Sequence, residues 1–185
     1  MRDCIAPSLH KLYRASFDKH KVPAIWKKAN VTPIFKKGDK SDANNYRPVS
    51  LLSVPGKLLE KIVFKHIFNH LRDNAILSQW QSGFLPGCST ICQLLEIYHK
   101  FCHSVESGKE VRVIFLDISR AFDRVWHAGL LYKLKRIGID GCLLEWIKDY
   151  LKDRQQRVCL EGVFSDWCSI LAGVPQGSIL GPLLF

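Results

Sequence analysis

An almost wholly apolar run at residues 111–118, VRVIFLDI, constrains the fold of this chain more than any other segment. Such a run is typical of a central strand that other elements cover on at least one face. Covering elements are present, because apolar residues recur at three- and four-residue spacing through residues 57–71, as on one face of a helix. The combination of buried strands and amphipathic helices predicts an α/β fold.

The other apolar segments divide into helical and strand-like ones. Further helices are predicted at residues 5–17, 90–103, 127–137 and 143–151. Strand-like runs are found at residues 29–36, 49–54, 156–160 and 167–171. Pro33 favours an edge position for the first strand, and Glu161 with Gly162 predicts a hairpin turn between the last two.

Charge and composition narrow the class of protein. Lys and Arg number 27 against 17 Asp and Glu, a net charge of +10, which indicates a polyanionic partner or an unspecialised basic surface. With 47% apolar residues the chain is globular rather than disordered. The odd count of seven cysteines predicts reduced, packed thiols and an intracellular location. We find no secretory signal and no membrane span; the uncharged residues 168–185 are interrupted by glycines and prolines.

Three elements contain candidate functional residues. Asp117 ends the predicted strand at 111–118, where a carboxylate either serves function or closes a turn. Gln176 and Gly177 combine a bidentate amide with a residue that allows close backbone approach, although Pro-Gly turns are common. Lys36 and Arg47 bracket a polar loop, and they either face one groove that suits a triphosphate or belong to a solvated hairpin.

Together and in this order, the three elements resemble the reverse transcriptase of non-long-terminal-repeat retrotransposons of the jockey and CR1 type. The resemblance covers essentially all 185 residues. It rests on VPAIWKKANVTPIFKKGD, NYRPVSLLSVPGKLLEKIV, QSGFLPGCST, FLDISRAFDRVWH and GVPQGSILGPLLF. It implies an α/β (α+β) fold of the right-hand polymerase type, with fingers at residues 1–110 and a partial palm at 111–185. The implied reaction is RNA-directed DNA synthesis, in which a dNTP is added to a primer 3′-OH by a two-metal mechanism.

The resemblance also implies roles for residues near the reacting atoms. Asp117 matches the first catalytic aspartate, a ligand of two Mg²⁺ ions for which Mn²⁺ can substitute, and the Ile118 carbonyl lies near the metal. Phe122 matches the aromatic steric gate, which occupies the space of a ribonucleotide 2′-OH. For an intact element, the implied location is the nucleus and cytoplasm.

Other matched positions bind the substrates, which are an RNA template, a DNA primer or target and a dNTP. Lys36 and Arg47 match residues that grip the triphosphate, and Gln176 and Gly177 match the pair that lines the nucleotide and the template base. The template-handling segment corresponds to Gln81, Gly83 and Phe84. No membrane is implied, and protein partners are not identified.

The sequence departs from the family in two respects. Leu85 and Cys88 stand where the family usually has basic residues, which predicts a weaker hold on the template phosphates. The Tyr/Phe-x-Asp-Asp strand and the thumb are expected after GPLLF and are not part of this sequence. We therefore expect a fragment without polymerase activity, and the alternative function is that of an inactive remnant that only binds nucleic acid.

A zinc site is the main competing interpretation of the cysteines and histidines. Cys88, Cys92, His99 and His103 have a metal-like spacing. On one straight helix the outer two would stand about 22 Å apart, at about 1.5 Å per residue. Because all four ligands of a tetrahedral zinc lie within about 2.3 Å of the ion, this spacing argues against zinc.

Overall fold

The computed structural model describes residues 2–185 and confirms a mixed α/β fold. Its helices are α1 (Arg2–Asp18), α2 (Val54–Asp73), α3 (Thr90–Glu106), α4 (His127–Arg136), α5 (Gly141–Leu151) and α6 (Gly181–Leu184). Its strands are β1 (Lys28–Phe35), β2 (Tyr46–Leu51), β3 (Arg154–Leu160), β4 (Val163–Phe164) and β5 (Cys168–Ile170). Short 3₁₀ turns are formed by Ala24–Lys27, Ala43–Asn45 and Ala121–Arg124.

All five strands form one sheet in the order β2-β1-β3-β4, and β5 also pairs with β3. The β1–β2 hairpin is antiparallel, whereas β1 and β3 run parallel and are joined by the helical segments between them. Strand β3 pairs antiparallel with both β4 and β5, which confirms the predicted hairpin and adds a short strand to it. The turn of this hairpin is formed by Glu161 and Gly162.

Pro33 shows how the sequence limits the sheet. The pairing of β1 with β3 ends at Val31, so that Pro33 pairs only with β2, where it lies opposite Pro48. Since proline has no N–H to donate, it is confined to positions with a free edge on one side. The edge prediction therefore holds locally, although β1 is an inner strand over its first half.

Strand β1 and helices α2 and α5 contribute most of the buried apolar residues. Ala29 and Val31 alternate with more exposed residues along β1. Helix α2 contributes apolar residues four apart, and α5 contributes a contiguous buried group. These core residues are Leu59, Val63, Ile67, Trp146, Ile147, Tyr150 and Leu151.

The chain divides into two packing units, which we describe separately. The larger unit extends up to His70 and resumes at Arg120, and it contains the whole sheet. The smaller unit is Leu71–Ser119, with the last turn of α2 and all of α3. The boundary between fingers and palm near residue 110 stays a prediction.

The predicted strand at residues 111–118 is wrong for this structure. Residues 109–118 have no regular secondary structure. Ile114, Phe115 and Leu116 are 83%, 90% and 93% exposed. A strand forms only when a neighbouring strand accepts its backbone hydrogen bonds, and no described strand pairs with this segment.

The structure also bears on the predicted packing of the cysteines and on the search for a membrane span. All seven cysteines are free, and most of them are exposed rather than packed as the sequence predicted; only Cys102 and Cys159 are half-buried. Among the described residues, no helix is long and apolar enough to cross a membrane.

Candidate nucleotide-binding site

The β1–β2 hairpin presents two cationic side chains. The Lys36 backbone N–H donates to the Asn45 carbonyl at 2.9 Å, so that pairing continues beyond β1. Arg47 lies opposite Ile34. Because side chains alternate along a strand, Lys36 lies on the same side of the hairpin as Ile34 and Arg47. Both cations are exposed, and in the described part of the chain neither forms an ion pair.

The carboxylates of the same loop stabilise the turn. Asp39 accepts a hydrogen bond from the Ser41 backbone N–H at 2.9 Å, and this bond lowers the pKa of Asp39 below its ordinary value. Asp42 accepts hydrogen bonds from the backbone and side chain of Asn44 at 2.9 and 3.0 Å. The negative charges are thus directed at the loop itself and leave Lys36 able to bind an external anion.

A backbone contact joins β2 to the segment that contains the predicted Gln-Gly pair. The Ser50 N–H donates to the Gln176 carbonyl at 2.8 Å. Gly177 follows with φ +105°, and a Cβ at this position would stand 2.9 Å from the Ser50 carbonyl oxygen. Only glycine combines this backbone conformation with so close an approach. The contact brings Gly177 beside the strand that contains Arg47.

A cavity of about 220 Å³ lies beside this contact. Two of its lining residues, Arg154 and Gln176, have polar atoms that are buried without a protein partner, namely Arg154 Nε and Gln176 Oε1. Arg154 is 1% exposed, and its Nη1 donates to the Tyr150 carbonyl at 3.1 Å. Arg154 and Gln176 therefore add polar side chains to the lining of the cavity, although the two unpaired atoms themselves are buried.

The segment of the predicted steric gate packs against the same loop. The Val174 N–H donates to the Phe122 carbonyl at 2.8 Å, and the Gly173 N–H donates to the Val125 carbonyl at 2.8 Å. The Phe122 ring stacks on Phe185 with centroids 5.2 Å apart. The segment of residues 173–177 therefore forms backbone hydrogen bonds both with the strand that contains Arg47 and with the turn that contains Phe122.

The remaining predicted site residues belong to the smaller unit. Gln81 donates through Nε2 to the Gly83 carbonyl at 2.9 Å, and Phe84 is exposed with φ +62°. Asp117 and Ile118 are exposed in the irregular segment at residues 109–118. Within the smaller unit, these residues therefore do not come together to form a site.

Residues 34–185 match the family model described as reverse transcriptase (RNA-dependent DNA polymerase). The chain belongs to the reverse transcriptase family. It is 35% identical over 175 residues to the RNA-directed DNA polymerase from mobile element jockey of Drosophila melanogaster. It is 34% identical over 175 residues to the probable RNA-directed DNA polymerase from transposon BS of the same organism. Both alignments cover 94% of this chain and 19% of the relative, so the chain spans about a fifth of these relatives.

The fold of this reverse transcriptase domain also has a solved counterpart. A chain of the partial Cas6-RT-Cas1–Cas2 complex superposes with a TM-score of 0.50 at 21% identity. The match covers 100% of this chain and 28% of the other. At this level of identity the likeness concerns the fold alone.

Reverse transcriptases generally use divalent metal ions. The Asp117 carboxylate and the Ile118 carbonyl are hard oxygen donors of the kind that Mg²⁺ prefers. Among the side chains that the structure describes, those of residues 4–185, however, no three of His, Cys, Asp or Glu lie close enough together to hold a metal ion. The donor chemistry of this reverse transcriptase domain fits Mg²⁺, but the number of assembled donors does not complete a site.

Sequence reasoning missed Glu60, a buried carboxylate that holds the segment after Gly177. One oxygen of Glu60 accepts hydrogen bonds from the N–H groups of Ile179 and Leu180 at 2.7 and 3.2 Å. Its other oxygen accepts from the Tyr150 hydroxyl at 3.2 Å, and burial raises the pKa of Tyr150. The available signal was the position of Glu60 on the apolar face of α2, next to Leu59, where a charge needs partners.

Proposed function

We propose that this chain forms the nucleotide-binding part of an RNA-directed DNA polymerase, which adds a dNTP to a primer 3′-OH. The observation that supports this most directly is the 2.8 Å bond between Ser50 and Gln176. This bond joins the two segments that match the nucleotide-binding positions of the family. The resemblance assigns these roles, and the contact supplies a physical reason for treating the segments as one site.

In this proposal Lys36 and Arg47 bind the triphosphate. A triphosphate carries several negative charges, and an exposed guanidinium can donate to two phosphate oxygens at once. Lys36 adds a flexible point charge on the same side of the hairpin. Since the loop carboxylates bond to their own turn, binding a triphosphate requires no ion pair to break.

Gln176, Gly177 and Phe122 would define the space for the sugar and the templating base. Gly177 permits close backbone approach, and the Gln176 amide can donate and accept hydrogen bonds. The Phe122 ring would fill the volume of a 2′-OH and so favour deoxynucleotides. We expect Phe122→Ala to raise ribonucleotide incorporation relative to deoxynucleotide incorporation.

Asp117 and the Ile118 carbonyl would hold Mg²⁺, with Mn²⁺ as an alternative. Divalent ions held there would supply positive charge that activates the primer hydroxyl and stabilises the leaving pyrophosphate. Gln81, Gly83 and Phe84 would contact the template. An RNA template, a DNA primer or target and an intracellular site of action belong to the same proposal.

The test uses a chimera in which this chain replaces the matching segment of the D. melanogaster jockey polymerase, called here the jockey chimera. Primer extension on an RNA template should be lost in Asp117→Ala and kept in Asp166→Ala, which removes an exposed carboxylate without a predicted role. Circular dichroism of both variants checks folding. Full extension by a folded Asp117→Ala chimera would contradict the role of Asp117.

A second candidate function is nucleic-acid binding without catalysis. It is favoured by the segment at residues 109–118, where Asp117 is exposed outside any strand. A chimera that binds primer and template but does not extend the primer, even with Asp117 intact, would support this alternative.

A further inference from the structure

An arginine of the sheet contacts two aromatic rings. Arg157 of β3 lies opposite Asn30 of β1, and its Nε donates to Asn30 Oδ1 at 2.9 Å. Its guanidinium carbon lies 3.9 Å from the ring centroid of Phe164 and 4.6 Å from that of Trp167. Both distances are short enough for a cation–π contact.

A second cation contacts the same indole. Lys28 Nζ lies 5.1 Å from the Trp167 centroid. Lys28 pairs with Gln155 two residues before Arg157, so the two cations are diagonal neighbours on one face of the sheet. We call Lys28, Arg157, Phe164 and Trp167 the basic-aromatic platform.

The loop that places Trp167 is held by hydrogen bonds to β3. The Val158 N–H donates to the Ser165 hydroxyl at 2.9 Å, and the Ser165 N–H donates to the Val158 carbonyl at 3.0 Å. The rings nevertheless keep free surface, since Phe164 is 48% exposed and Trp167 is 38% exposed. The platform is therefore preorganised and open to a ligand.

The two cations of the platform have no counter-ion in the described part of the chain. The nearby loop acids are Glu161 and Asp166, and neither forms an ion pair with Lys28 or Arg157. Like charges gathered on one ring repel each other unless an anion lies between them.

Another cation–aromatic pair in the chain provides a contrast. Lys100 lies 5.0 Å from the Trp80 centroid but is also paired with Glu96. The charge at Trp80 is thus neutralised within the chain, whereas the charge at Trp167 is not. This difference indicates an external anion for the platform.

We propose that the basic-aromatic platform binds single-stranded nucleic acid, with a phosphate between Lys28 and Arg157 and a base stacked on the free ring surface of Trp167 or Phe164. A phosphate accepts hydrogen bonds from a guanidinium edge, and bases stack on exposed aromatic rings in a sequence-tolerant way. A duplex would satisfy only the charge, because its base faces are already stacked.

The position of the platform links it to the nucleotide site, on whose proposed function this inference rests. Side chains alternate, so Asn30, Ile34 and Arg47 lie on the same sheet face as Arg157. From Asn30 to Ile34 the distance along β1 is about 13 Å, at about 3.3 Å per residue. One single strand can therefore extend from the platform toward the predicted triphosphate residues.

The test is a fluorescence-anisotropy titration of the 185-residue chain with labelled oligo(U), oligo(dT), an abasic oligonucleotide and a duplex, at several salt concentrations. We expect Trp167→Ala to weaken oligo(U) binding at least about fivefold, the lower end of base stacking on an aromatic ring. Trp80→Ala is the matched control and should bind as the wild type does. Arg157→Gln should reduce the salt slope by about one.

Comparison of the four oligonucleotides identifies the ligand. The wild-type chain should bind oligo(U) or oligo(dT) more tightly than the abasic strand and the duplex. The ratio of its affinities for oligo(U) and oligo(dT) shows whether RNA or DNA is preferred. Equal binding of the abasic strand would overturn the stacking part of the proposal.

Two further measurements keep the result decisive if a variant folds poorly. Trp167→Phe, which preserves an aromatic ring, should retain most of the affinity. Oligo(U) with 5-iodouracil should cross-link the wild-type chain at the peptide that contains Phe164 and Trp167. Cross-links only elsewhere, or wild-type binding by folded Trp167→Ala and Arg157→Gln, would overturn the proposal. If the proposed nucleotide site were wrong but the platform right, the jockey chimera would not extend a primer, whereas the platform would still bind oligonucleotides.

Discussion

The two packing units differ in how they use similar apolar sequences. In the larger unit, α2 and α5 bury their apolar faces, with Leu59, Ile67 and Trp146 at 1% exposure. In the smaller unit, α3 has an equally periodic apolar face, but no residue of α3 is buried. Leu94 and Tyr98 on that helix are 61% and 67% exposed. Apolar periodicity thus specifies a helix, whereas burial requires a partner element.

The same difference separates the candidate site residues. Those of the larger unit, such as Arg47 and Gln176, are held by strand pairing and backbone hydrogen bonds. Those of the smaller unit, such as Phe84 and Asp117, are exposed on irregular backbone. The nucleotide-binding part of the proposal therefore rests on tertiary contacts, and the metal-binding part rests on the family resemblance.

Matched aromatic truncations should give the largest contrast between the units. Trp146 is buried, stacks with Tyr150 and donates to the Ser16 hydroxyl at 3.0 Å. We expect Trp146→Ala to lower the free energy of unfolding by about 3–5 kcal/mol. Tyr98→Ala should change it by no more than about 0.5 kcal/mol, as for an exposed side chain. Urea unfolding of the chain measures both, and equal losses would show that the two units are packed alike.

Removal of the buried carboxylate should have the next largest effect. Glu60→Ala leaves the Tyr150 hydroxyl and two backbone N–H groups without an acceptor, which should cost about 2–3 kcal/mol. Glu60→Gln keeps a carbonyl oxygen and should cost less. Glu110→Ala, which removes an exposed partner of Arg112, serves as the control and should be nearly neutral. If Glu60→Ala were as stable as this control, the hydrogen bonds to Glu60 would not stabilise the fold.

The sequence predicts much of the larger unit because its signals are local. The spacing in α2, the turn at Glu161 and the loop at 37–45 all favour the observed elements. Residues 111–118 were predicted wrongly because a strand depends on a neighbour that no local pattern reveals. Glu60 was missed for a related reason, since its donors Ile179 and Leu180 are far away in the sequence and only the fold brings them together.

A smaller effect on stability is expected on acidification, through Asp149 and its partners Lys21, Val22 and Lys27 in the larger unit, which we call the Asp149 cluster. Burial raises the pKa of Asp149, but hydrogen bonds from Lys27, Val22 and Lys21 outweigh burial and lower it below its ordinary value. A lowered folded-state pKa stabilises the fold above the unfolded pKa of about 3.9, and this contribution is lost as pH falls through the folded-state pKa.

Stability measured by denaturant titration between neutral pH and pH 2 tests this cluster. The wild-type chain should be more stable than Asp149→Asn at pH 7, and the difference should narrow from about pH 4 downward. A constant difference across this range would mean that ionised Asp149 contributes nothing through its charge.

The most direct test of the central claim, that β2 and the Gln176 segment form one nucleotide site, is the KM for dNTP in single-nucleotide extension by the jockey chimera. Arg47→Ala should raise this KM at least about tenfold, the equivalent of about 1.4 kcal/mol, because a charge-assisted phosphate contact is lost. The affinity for primer and template should change little, and Arg112→Ala should behave as the wild type does. An unchanged KM in folded Arg47→Ala, or an equal rise in Arg112→Ala, would contradict the account.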